Sequence, residues 1–139
     1  MTTPPTEPPR RSSRAALGLA LLLAAAGATH FAAPRFYDAI VPHRLPGTPR
    51  TWTVLSGFAE LACAAAVAHP RTRLVGATAA AILFVAVFPA NVQMAIDWQD
   101  RPLPERLVAY ARLPLQVPLV VWALRVRRNA ARPAGARRP

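Results

Sequence analysis

Apolar residues fall in four long runs separated by short polar stretches. Residues 15–33 read AALGLALLLAAAGATHFAA, and residues 52–69 read WTVLSGFAELACAAAVAH. Residues 74–96 read LVGATAAAILFVAVFPANVQMAI, and residues 106–124 read RLVAYARLPLQVPLVVWAL. A helix over the first run would be roughly 28 Å long, close to the hydrocarbon thickness of a bilayer. The pattern predicts an all-α protein: a four-transmembrane-helix bundle with helices at 15–33, 52–69, 74–96 and 106–124. Pro34 ends the first run, and Pro42, Pro46, Gly47 and Pro49 exclude a long helix from 34–51. That loop is expected at the membrane surface as a short helix, with Phe36, Tyr37 and Trp52 at headgroup level. Residues 1–14 and 125–139, rich in Pro and Arg, are expected to be disordered tails.

The first run has a second reading. Arg10, Arg11 and Arg14 precede it, and Ala26-Gly27-Ala28 resembles a signal-peptide cleavage site. Cleavage there would leave three spans and an external N-terminus. The membrane-length segments that follow favour a retained span.

Composition agrees with a membrane protein: 53% of the residues are hydrophobic and mean hydropathy is +0.23. All 17 cationic residues are arginine. Three precede the first run and six follow the last, with no nucleic-acid motif, so nucleic acid is not an expected partner. With the N-terminus inside, segments 1–14, 70–73 and 125–139 hold eleven arginines, and the two outer loops hold five. The positive-inside rule then predicts N-in/C-in topology. The expected location is the plasma membrane, as a multi-pass protein with both termini cytoplasmic. The single cysteine, Cys63, can form neither an internal disulfide nor a CxxC pair, and is read as a small buried residue.

Ionisable groups inside a bilayer cost about 2.5–3.5 kcal/mol at a helix centre on insertion scales, so their presence is informative. His30, Glu60, Asn91, Gln93, Arg112 and Gln116 interrupt the four runs. At about 1.5 Å per residue they lie roughly 5–15 Å from the outer ends of their helices. All four helices thus place their polar residues in the outer half. Glu60 and Arg112 are the opposite charges at this depth and are expected to pair. Two readings stay open. The cluster is an internal clasp that fixes helix register, or it lines an outward-facing site for a quinone or other small solute. No GxGxxG, Walker, GxSxG or HExxH signature is present, no metal-ligand spacing is found, and a stand-alone enzyme is not expected.

Several stretches resemble a known family. Gly27-Ala28-Thr29-His30-Phe31 with Pro34, and Ser56-Gly57-Phe58-Ala59-Glu60, are similar to the DoxX-like family of small bacterial membrane proteins. So are residues 87–95, VFPANVQMA, and Arg112-Leu113-Pro114-Leu115-Gln116. The resemblance covers about residues 15–124. It implies a four-helix membrane bundle in the bacterial inner membrane. It also implies a non-catalytic subunit or scaffold of a redox-linked assembly, with quinone as the candidate cofactor. The expected partners are the lipid bilayer, a redox partner protein and further copies of the chain. Without paired cysteines, direct dithiol chemistry does not fit.

Overall fold

The computed structural model describes residues 10–132. It contains six helices: α1 (Arg10–Ala32), α2 (Pro34–Asp38), α3 (Pro49–Ala68), α4 (Arg73–Ala86), α5 (Phe88–Asp97) and α6 (Leu103–Ala131). Among the described residues there is no strand. Four segments are long and apolar enough to cross a membrane: Ser13–Ala32, Pro49–Ala68, Arg73–Asp97 and Leu103–Ala131. The third joins α4 and α5. Large apolar side chains such as Leu21, Phe58, Val75, Ile82 and Val117 point away from the bundle, as suits a surface solvated by lipid tails.

The helices extend beyond the apolar runs. Residues 10–14 and 125–131, expected to be disordered, are helical. At the far end the cause is packing: Val126 is buried against the core, and Arg127 donates from Nε to Thr78 Oγ1 at 3.1 Å. The remaining tail positions, 1–9 and 133–139, lie outside the described residues.

α1 packs mainly on α3, α3 on α4, and α4 and α5 on α6. Contact between α1 and α6 closes the bundle, and there Trp122 Nε1 donates to the Ala15 carbonyl at 3.1 Å. The turn between α3 and α4 is stitched by its own side chains. Arg73 donates to the carbonyls of Val67 and Ala68, and Thr72 to that of Ala66, capping carbonyls that α3 leaves open.

Pro89 divides the third span. The helix is interrupted at Val87, because a proline has no N–H for the preceding turn and its ring crowds that turn. Pro114 and Pro118 lie inside α6 without ending it.

The two ends of the bundle differ in chemistry. Ala16, Leu19, Leu23, Ala64, Val67, Ala77, Ala80, Ala123 and Val126 form an apolar core toward the end where α1 starts and α6 finishes. The buried polar side chains, His30, Thr53, Asn91 and Gln116, all lie toward the other end. That end is crossed by the 33–48 segment, here called the strap. It begins with α2, none of whose residues is buried. Ile40 is buried in a second apolar cluster with Met94, Trp98 and Ala109, and Tyr37 packs beside it. Gly47, at φ 87°, makes the left-handed turn that leads into the Thr48 cap of α3.

Candidate functional site

Beneath the strap is a cavity of about 370 Å³, within the usual range for small-molecule sites. His30, Glu60, Asn91 and Arg112 line it, together with apolar residues of the strap, α3 and α4. Four of the six polar residues singled out in the sequence therefore meet at one space. Gln116 lies behind the wall. Gln93 does not join the cluster: it donates to Asp97 Oδ1 at 2.8 Å along its own helix.

The expected Glu60–Arg112 pair does not form. Glu60 Oε2 lies 3.3 Å from His30 Nδ1 instead. Arg112 Nε donates to Asn91 Oδ1 at 3.0 Å, and Asn91 Nδ2 donates to Gln116 Oε1 at 3.1 Å. Gln116 Nε2 in turn donates to the Phe84 carbonyl. The break at Val87 explains that last contact, since Phe88 N–H makes no helical bond to the Phe84 carbonyl, which is left for a side-chain donor. The chain Arg112–Asn91–Gln116–Phe84 ties α6 to both halves of the broken span. Pairing by charge alone missed it because an amide at the kink competes for the guanidinium.

The cluster thus divides into two parts. Asn91 and Gln116 are buried and fully engaged, which is the arrangement of a clasp. His30, Glu60 and Arg112 face the cavity with capacity left over.

His30 is held from three sides. Its Nδ1 lies 2.9 Å from the Ala26 carbonyl, which can only accept, so Nδ1 carries a proton. Tyr37 stacks on the ring with centroids 3.7 Å apart. Tyr37 OH donates to Thr29 Oγ1, which donates to the Ala26 carbonyl, both at 2.6 Å. Orientation of the imidazole therefore depends on the strap. Tyr37 read as a headgroup anchor in the sequence, and its separation from His30 gave no periodic signal for this stacking.

The strap is fastened to α3 in two places. Arg50 Nη2 is 2.7 Å from Asp38 Oδ2, and Thr53 Oγ1 donates to Asp38 Oδ1 at 2.7 Å. Trp52 Nε1 donates to the Pro46 carbonyl at 2.8 Å. The Arg50 guanidinium, then the Thr53 hydroxyl, hold the Asp38 carboxyl below the ordinary carboxylate range. A lowered value means the charged form favours the folded strap. That contribution is full at neutral pH and is lost as pH falls through the lowered value. Asp38→Asn should therefore melt below wild type at pH 7, with the gap closing once pH drops below about 4. Thermal unfolding in detergent across this range checks it.

Glu60→Gln should leave the fold intact, because an amide oxygen can replace the carboxylate beside His30 Nδ1. The expected result is a melting temperature near that of wild type. Collapse of folded yield would place Glu60 in the clasp instead.

Among the described residues no three His, Cys, Asp or Glu side chains gather as a metal site. Cys63 is buried in the apolar core.

A family model described as a domain of unknown function, DUF8561, matches residues 19–127. The chain belongs to this family. The match reaches into all four spanning helices and contains every residue that lines the cavity. No curated protein and no solved structure matches the chain.

Proposed function

We propose that this DUF8561 protein is a DoxX-like membrane protein that holds a small amphipathic molecule, a quinone or another small solute, beneath its strap. The cavity faces outward from a bacterial inner membrane, and both termini are cytoplasmic. One observation supports the binding role above the others: three ionisable groups placed at membrane depth by sequence border one open space. Arginine distribution, eleven against five, supports the orientation. The hydrogen-bonding residues would orient a head group. Ile40, Val41, Leu45, Leu55, Leu83 and Val87 would receive an apolar body.

The reading is tested by extracting purified protein with solvent and measuring small molecules by mass spectrometry. A stoichiometric component present in wild type and lost in Ala59→Phe, which fills the cavity, is the expected result. Equal amounts in both proteins would contradict it. The resemblance to DoxX-like proteins also suggests a subunit that presents such a molecule to a redox partner. Co-purification of a partner in mild detergent separates a subunit from a free-standing binder.

A further inference from the structure

Two side chains of the cavity wall keep unused hydrogen-bonding capacity: Glu60, whose buried Oε2 has no hydrogen-bond partner among the described residues, and Arg112. Arg112 spends Nε on Asn91. Among the described residues, its Nη1 and Nη2 have no hydrogen-bond partner and no carboxylate within 4.0 Å. Glu60, the acid in the cavity wall, is turned to His30. A guanidinium facing an apolar space at membrane depth without a contacting counter-ion is costly. The occupant that removes this cost is an anion. A neutral carbonyl would use the same donors but leave the charge uncompensated.

Geometry and charge narrow the anion further. The end of a guanidinium, with two parallel N–H groups, matches a planar carboxylate in a bidentate fork. Glu60 in the same wall lies against His30 rather than Arg112, so a single negative charge on the ligand would balance the guanidinium. A phosphate monoester would bring about 1.5–2 charges. The apolar residues named above account for the rest of the ligand.

We propose that the ligand is a carboxylate-headed amphiphile, its head on Nη1 and Nη2 of Arg112 and its chain among Ile40, Leu45, Leu55 and Leu83. This rests on the binding role proposed above and specifies its substrate class.

The test uses the full chain in phosphatidylcholine nanodiscs, with radiolabelled decanoate as probe and empty nanodiscs as the blank. Saturable binding near one decanoate per chain is expected, with decanol and decylamine failing to compete and decyl phosphate competing weakly. Arg112→Gln should weaken decanoate binding at least about tenfold, as expected for losing a charge-assisted contact. Should that variant not fold, Arg112→Lys retains the charge and loses the fork. It should bind decanoate more weakly than wild type while still excluding decanol. Equal competition by decanol, with both probes lost in Ala59→Phe, would overturn the carboxylate assignment and leave the cavity's binding role standing. Absence of saturable decanoate binding would also overturn it. A co-extracted neutral molecule in the mass-spectrometric experiment would then keep the broader reading, and its absence would end both.

Discussion

Asn91→Leu should lower stability by about 3 kcal/mol or more, the sum expected when the buried Gln116 and the half-buried Arg112 lose their hydrogen bonds at about 1–3 kcal/mol each. Asn91 accepts from Arg112 and donates to Gln116, and leucine can do neither. The stranded Arg112 Nε bears a charge, which places the cost at the upper end of that range. Gln116→Leu alone should cost less, because Asn91 then keeps its bond to Arg112. Combining the two changes should be less damaging than the sum of the singles, since the second removes a group the first had stranded. A double-mutant cycle of denaturant unfolding in detergent measures this coupling. Additive effects would show that the side chains do not act as one chain.

Gly76→Ala should have the second largest effect, and its sign depends on which of two terms wins. Alanine in a helix is favoured over glycine by about 1 kcal/mol. Here a Cβ would sit 2.6 Å from the Ala66 carbonyl carbon and from the Val67 nitrogen, both backbone atoms of α3. Neither can move without parting α3 from α4. Overpacking typically costs about 1–3 kcal/mol, and more where a backbone must shift, so the steric term wins. Separation would also loosen Val67, Ala77 and Ala80 in the apolar core. Thermal unfolding should show a lower midpoint than wild type, and Gly76→Val should be worse. A raised midpoint for Gly76→Ala would show that the close approach of α3 and α4 is not required.

Much of the fold was legible because lipid imposes a simple rule on sequence. Each span must be about twenty apolar residues long, and the four runs met that rule with boundaries near the observed helices. The helix ends were less legible. Val126 is a single apolar residue among arginines, and only contact with the core shows that α6 continues past it. The strap was legible as a proline-limited segment with a short helix, but the burial of Ile40 within it was not. Ile40 has no periodic neighbours to mark it as core; its partners Met94, Trp98 and Ala109 come from distant parts of the chain.

The candidate site was legible as a set of residues and misread as a set of pairs. Depth along each helix placed all six polar residues in one half of the bundle, and four of them, His30, Glu60, Asn91 and Arg112, do border one cavity. Depth does not give rotation about the helix axis. Gln93 lies only two residues from Asn91, yet it turns to Asp97. Opposite charge suggested Glu60 with Arg112, whereas the kink at Val87 turns an amide toward the arginine and His30 takes the carboxylate. Pro89 was the signal that a polar point would arise there, but it did not identify Gln116 as the partner of the exposed carbonyl.

We propose that the cavity bordered by His30, Glu60, Asn91 and Arg112 at the strap end of the bundle opens to the outside of the membrane. Ala59 lines that cavity, whereas Ala64, just over one turn further along α3, is buried in the apolar core. In a Cys63→Ala background, Ala59→Cys and Ala64→Cys can be exposed to a small, charged, membrane-impermeant methanethiosulfonate on intact cells. Modification of the thiol at 59 without lysis, with the thiol at 64 unreacted, is the expected result. A thiol at 59 that stays unreactive, or reacts only once the cytoplasmic face is opened, would contradict the account.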